Sequence, residues 1–77
     1  MNKLFYFIII DRTRKIFSIS EPTWNDQGLV NRVCELKDKY SMTAYHAPVI
    51  DGKRDEIIRF HQEDGFELVG MDLILEF

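Results

Sequence analysis

The sequence is informative first through what it lacks. Its 77 residues include one cysteine, Cys34, which excludes an intramolecular disulfide and fits a reducing compartment. No local motif supplies a base for this thiol, so we interpret it as a buried or half-buried structural residue. No apolar run approaches the roughly 20 residues of a membrane-spanning helix. The formal net charge is -3, whereas a dedicated nucleic-acid-binding domain usually has an excess of basic residues. We therefore predict a single cytoplasmic domain over residues 1–77.

The longest apolar run occupies residues 4–10 and consists of aromatic, β-branched and leucine side chains. Such a run predicts a strand that is apolar on both faces and central in its sheet. Two charged residues, Asp11 and Arg12, follow it without a small-residue cleavage site, which argues against an export signal. The rest of the chain is expected to supply a neighbouring strand on each edge and cover for at least one face.

A hairpin and a helix are predicted next. Residues 16–20 resume the apolar pattern and predict a second strand, joined to the first by a loop of about four or five residues. Thr23 and Asp26 have the spacing of a capping box, which predicts the start of a helix. The apolar stripe of this helix consists of Leu29, Val33, Leu36 and Tyr40.

The second half of the chain predicts a strand, a helix and another strand. Residues 42–50 form the third strand, and Pro48 places it at an edge of the sheet or ends it early. The second helix begins near Arg54 and ends at Gly65, a residue type that favours a left-handed helix cap. Alternating apolar residues predict a last strand over residues 66–77.

These elements predict an α+β fold in the order ββαβαβ, with a single four-stranded mixed sheet. Because a helix joins the third strand to the fourth, we expect these strands to be parallel neighbours. The predicted sheet order is 3-4-1-2, with two helices on one face. One set of side chains on the first strand would then lie open as an apolar patch, and such patches usually mark interfaces. One set consists of Phe5, Phe7 and Ile9, and the other consists of Leu4, Tyr6, Ile8 and Ile10; the sequence does not decide which of them is exposed.

A role by contact is the leading functional hypothesis, because the sequence contains no coherent catalytic constellation. We expect a small protein-protein interaction or inhibitor-type protein, in the manner of phage and mobile-element products that block a host protein. Its partner would be a second copy in a homodimer, or another protein, bound through the exposed sheet face or an edge strand. Candidate partner-binding residues are Phe5, Phe7, Ile9, Arg12, Arg14 and Lys15.

An alternative hypothesis is an accessory nucleic-acid module. The hairpin tip with Arg12, Arg14 and Lys15 is the one basic cluster of the sequence. Together with the aromatic residues Tyr6 and Phe17, it could contact phosphates and stack bases.

A third hypothesis is a small enzyme centred on Tyr45, His46 and Asp51, three residue types that can perform acid-base chemistry. His61 and Asp64 have helical spacing, but they supply only two of the three or four ligands that a zinc site needs. We therefore predict no metal and no cofactor.

Overall fold

The computed structural model describes residues 3–37 and 39–76. Three helices and four strands occupy this part of the chain. In chain order they are β1 (Phe5–Asp11), β2 (Ile16–Ile19), α1 (Gln27–Leu36), β3 (Met42–Pro48), α2 (Lys53–Glu63), β4 (Glu67–Leu68) and α3 (Met71–Ile74). Within residues 3–37 and 39–76, no helix has the length and apolar character required to cross a membrane.

The four strands form one mixed sheet in the order β3-β1-β2-β4. β1 is antiparallel to both β2 and β3, and β2 is parallel to β4. The predicted α+β fold with a four-stranded mixed sheet is confirmed, whereas the predicted order 3-4-1-2 is wrong. β3 and β4 do run in the same direction, but they lie at opposite edges of the sheet. β1 has apolar side chains along its whole length, and it takes the central position with β3 as a full-length neighbour.

Helices cover both faces of the sheet, so the prediction of two helices on one face is wrong. α2 covers one face through Ile57, which belongs to a buried cluster with Ile8 and Phe17. α1 and α3 cover the other face, where Phe7 and Ile9 pack in a second buried cluster. Because β1 is apolar on both sides, each of its side-chain sets is buried under helical cover. The expected open patch on β1 is therefore absent from the described residues.

The last strand is much shorter than predicted. Only Glu67–Leu68 pair with β2, and the chain then turns at Gly70 into α3. Ile74 and Leu75 follow Met71 by three and four residues, so the apolar pattern also fits one helical turn. All three side chains pack in the cluster with Phe7 and Ile9. Burial on this face therefore favours the helix over an extension of the strand.

The predicted turns agree with the structure more closely than the predicted helix start. The hairpin loop spans the four residues 12–15, as expected, between Asp11 and its pairing partner Ile16. Gly65 has φ 93 and ends α2, and the N–H of Phe66 donates to the carbonyl of His61 at 3.0 Å. Thr23 does not cap α1, because it forms a bridge to Phe5 and the helix begins only at Gln27.

Candidate functional site

The outer edge of β3 is the longest exposed strand edge in the sheet. β3 lies at the end of the sheet order, and no other described strand pairs with its outer side. The four residues from Thr43 to His46 are exposed. Met42–Pro48 contains no Lys, Arg, Asp or Glu, the residue types that commonly protect a free edge from pairing. Pro48 predicted this edge position correctly from the sequence.

The hydrogen-bonding pattern shows which backbone groups of β3 face outward. The carbonyl of Phe7 accepts from Ser20 at 2.9 Å on the β2 side of β1. Since backbone groups alternate in direction along a strand, Ile8 faces β3, where it pairs with Tyr45. The backbone N–H and C=O groups of Tyr45 therefore bond to β1. Those of its neighbours Ala44 and His46 point away from β1. These two residues present two donors and two acceptors along the edge.

A hollow flanks the edge on each face of the sheet. The first, which we call the α2-side hollow, measures about 260 Å³ and lies between β3 and α2. Its lining includes Tyr45, Ala47, Lys53, Ile57 and Phe60. The second, the α1-side hollow, measures about 300 Å³ and lies between β3 and α1. Its lining includes Phe7, Val30, Val33, Cys34 and Ala44.

Tyr45 is held in place by a partner on α2. Its hydroxyl forms a hydrogen bond of 2.6 Å with Nε2 of His61, whose ring lies 5.1 Å from the ring of Phe17. Burial lowers the pKa of His61 against an opposing effect of Asp64, and burial raises the pKa of Tyr45. Both shifts favour the neutral forms. The pair therefore positions the Tyr45 ring at the edge without adding a charge.

His46 is fixed on the opposite face of the sheet. Its Nε2 lies 2.5 Å from Oδ2 of Asp26, the residue before α1. Its ring also packs against Phe5, with the two ring centroids 4.4 Å apart. The side chains that border the edge thus have defined orientations on both faces.

The predicted cluster of Tyr45, His46 and Asp51 is not assembled in the structure. Tyr45 and His46 are consecutive strand residues, so their side chains project from opposite faces of the sheet. Asp51 lies in the turn before α2 and lines a different hollow, together with Tyr6 and Ile50. The enzyme hypothesis lacks a common site for its three residues.

The basic hairpin tip is largely engaged within the fold. The guanidinium of Arg14 binds the carboxylate of Asp11 and the backbone carbonyls of Ile74 and Glu76. Arg12 donates to Oγ1 of Thr43 at 3.1 Å. Lys15 is exposed, with its Nζ 5.5 Å from the centroid of the Phe66 ring.

The aromatic residues expected to assist that tip do not form a stacking surface. Tyr6 is 8% exposed and Phe17 is 0% exposed, so neither can stack on a base. The exposed cations of the tip remain, but the two aromatic rings that the nucleic-acid hypothesis combined with them are not accessible.

Two other sequence interpretations are corrected by side-chain burial. Of the candidate partner-binding residues on β1, Phe7 and Ile9 are buried beneath α1 and α3, and Phe5 is only partly accessible. Cys34, which was predicted to be buried or half-buried, is exposed beside the α1-side hollow. Cys34 follows the buried Val33 on α1, and consecutive residues of a helix point in different directions, so Cys34 lies at the margin of the apolar stripe and faces solvent.

Two associations could not be found from the sequence alone. His61 lies four residues after Ile57 on the buried face of α2, and its contact with Tyr45 joins residues 16 positions apart in the chain. Asp26 and His46 are distant in the chain and meet only because α1 lies on β3. Among the described residues, no three His, Cys, Asp or Glu side chains are close enough to hold a metal ion.

Comparison with known proteins finds no matching family model, no similar curated protein and no similar solved structure.

Proposed function

We propose that this domain functions by contact with another protein chain, which binds as an extended strand along the outer edge of β3. The observation that carries the proposal is the uncharged edge itself, where Ala44 and His46 direct their backbone donors and acceptors outward. A strand that adds to such an edge gains affinity from main-chain hydrogen bonds.

The two hollows support this mode of binding. Successive side chains of an added strand point to opposite faces of the sheet. The α2-side hollow would receive one set of these side chains, and the α1-side hollow would receive the other. Strand addition obtains its specificity from pockets of this kind on alternate sides of the edge.

The fixed orientations of Tyr45 and His46 also support the proposal. Each side chain is bonded to a helix, through His61 and Asp26 respectively, so little side-chain freedom remains to be lost on binding. We further propose that the domain acts in the cytoplasm. The support is Cys34, an exposed free thiol of the kind that a reducing compartment maintains.

The test removes the outward donors and leaves the backbone hydrogen bonds between β3 and β1 in place. Ala44→Pro and His46→Pro each delete an N–H that points away from β1. The strand already has a proline, Pro48, at a position whose backbone groups point away from β1. Tagged full-length protein is isolated from its source cells as wild type, as the double proline variant, and as Arg54→Ala. The last is a control on the exposed surface of α2, outside the lining of both edge hollows.

We expect a protein to be retained by the wild type and by Arg54→Ala and to be lost from the double proline variant. Circular dichroism and thermal unfolding establish that the variant is folded. Equal retention by the folded proline variant would refute strand addition at β3. Recovery of nucleic acid in place of a protein, in amounts that fall with increasing salt, would favour the accessory-module hypothesis instead.

A further inference from the structure

We infer that the strand which binds the β3 edge is β3 of a second copy of this chain, in an antiparallel arrangement with a two-fold axis at Tyr45. This inference rests on the proposed function, since it names the occupant of the same edge. The pairing would join two four-stranded sheets into one continuous eight-stranded sheet.

The backbone of β3 is complementary to itself in this register. Ala44 of one copy lies opposite His46 of the other, and both residues direct their N–H and C=O groups to the shared edge. Each of these two antiparallel pairs exchanges two hydrogen bonds, which gives four across the interface. Tyr45 lies opposite its counterpart on the axis, at a position that needs no intermolecular backbone bond.

The ends of the strand agree with the same register. Met42 would face Pro48 of the second copy. The N–H of Met42 already donates to the carbonyl of Tyr40 at 2.7 Å, and Pro48 has no N–H. The two residues with no available donor therefore face each other, and the residues with available donors face each other as well. A register with its axis at His46 would place Pro48 opposite Ala44, which has an outward donor and acceptor. A register with its axis at Ala44 would place Met42, whose donor is already used, opposite His46.

The side chains are complementary on both faces. On the α1 side, the small Ala44 borders a hollow of about 300 Å³, and the larger imidazole of His46 from the second copy would lie directly opposite it. On the α2 side, the two Tyr45 rings would meet at the axis as a cross-strand aromatic pair, a stabilising combination. β3 carries no Lys, Arg, Asp or Glu, so no like formal charges of these residues oppose each other across the edge.

The first experiment measures self-association of the purified full chain by analytical ultracentrifugation, from low micromolar to near-millimolar concentration. We expect a monomer-dimer equilibrium for the wild type and for Arg54→Ala. Ala44→Pro removes one donor from each copy, which deletes two of the four backbone bonds and should weaken dimerisation by at least about tenfold. Hydrogen exchange of the wild type reports the same edge without any substitution, because the Ala44 and His46 amides should exchange more slowly as the dimer forms.

The second experiment tests the register by disulfide cross-linking in a Cys34→Ser background. Tyr45→Cys would place two thiols opposite each other at a non-hydrogen-bonded pair, where Cα atoms are about 4.5 Å apart. Air oxidation should then yield a covalent dimer. Ala44→Cys is the control, because the two copies of residue 44 lie diagonally across the axis, beyond the Cα separation of about 7 Å that a disulfide spans.

The outcomes separate this inference from the proposed function. A wild-type chain that stays monomeric throughout, with Ala44 and His46 amides whose exchange is independent of concentration, would overturn self-pairing. The broader proposal would survive that result if the double proline variant still lost a different protein partner. A dimer that is equally stable in wild type and folded Ala44→Pro, or that cross-links as well through residue 44 as through residue 45, would overturn the register proposed here.

Discussion

The two edges of this small sheet differ in how open they are to another strand. β3 contributes seven residues, four of them consecutively exposed and none of them Lys, Arg, Asp or Glu. β4 contributes two residues, one of which is Glu67, and the chain then leaves the sheet at Gly70. Brevity and charge are common ways of protecting a sheet edge from pairing. The described β3 edge has neither of these two features.

Polar contacts join the hairpin to the segment that follows β4. The buried carboxylate of Asp11 accepts hydrogen bonds from the N–H groups of Thr13 and Arg14, and it forms an ion pair with the Arg14 side chain. Arg14 extends to the carbonyls of Ile74 and Glu76 at the end of α3. One side chain therefore joins the hairpin to the C-terminal turn that follows β4.

The largest expected effect comes from removing this connection. Arg14→Ala would leave the carboxylate of Asp11, which is 0% exposed, without its ion-pair partner. Breaking a buried ion pair in this way costs about 3 kcal/mol, and we expect a loss of that order in the free energy of unfolding. Urea denaturation measures it. Arg12→Ala is the matched control, since Arg12 is exposed and its loss should cost less than about 0.5 kcal/mol. Similar losses for the two variants would contradict this account of Arg14.

The next largest effect tests the difference between the edges directly. Ala44→Lys places a charge on the β3 edge, and Glu67→Lys places the same side chain on β4. We expect Ala44→Lys to weaken dimerisation by about tenfold, because an edge lysine opposes strand pairing, while Glu67→Lys leaves it unchanged. Sedimentation of both folded variants measures the effect. Equal weakening would show that the dimer does not discriminate between the two edges.

The sequence predicted this difference only in part, and the reason is physical. Most local signals were reliable, although the capping box at Thr23 was not. The apolar run of β1, the four-residue hairpin loop, the edge position implied by Pro48 and the cap at Gly65 each depend on residues close together in the chain. The strand order and the side of each helix depend on which apolar surfaces meet, and the sequence does not specify that. The C-terminal segment is an example, because Met71, Ile74 and Leu75 fit a helical turn as well as residues 66–77 fitted a strand.

The candidate site was the part least accessible from the sequence. An edge was among the proposed surfaces, but the specific candidates Phe7 and Ile9 proved to be core residues once α1 and α3 covered them. The orientation of Ala44 and His46 depends on the pairing of β3 with β1, a long-range contact. The bond between Tyr45 and His61 depends on how α2 crosses the sheet.

A smaller effect is expected from two glycines, one on each side of the molecule. Gly65 has a left-handed φ of 93 where α2 turns toward β4, and Gly28 lies in the first turn of α1. An added methyl would meet no atom within 4 Å at either position, so the backbone decides the result. Gly65→Ala should destabilise the fold by about 1 kcal/mol, and Gly28→Ala should stabilise it by about 0.5 to 1 kcal/mol. Thermal unfolding measures both changes in stability, and a change in the same direction for the two variants would contradict the prediction.

The smallest effect concerns the histidine beneath the open edge. Burial among the aromatic rings lowers the pKa of His61 below its ordinary value, with Asp64 acting in the opposite direction. The unfolded chain therefore takes up a proton at higher pH than the folded chain does. The contribution of neutral His61 to stability is complete above about pH 6.5 and is lost as the pH falls from there through the lower pKa of the folded state.

In the wild type, urea denaturation should therefore show that the free energy of unfolding decreases as the pH is lowered from 8 to 5. His61→Gln should reduce that fall, because glutamine does not titrate, whereas His46→Gln on the opposite face should leave the contribution of His61 in place. An unchanged slope in His61→Gln would mean that His61 is not responsible for the fall.

Since His61 orients Tyr45, protonation of His61 would also disturb the β3 edge. Dimerisation should weaken over the same pH range as stability in the wild type, while the protected β4 edge has no equivalent dependence on this histidine.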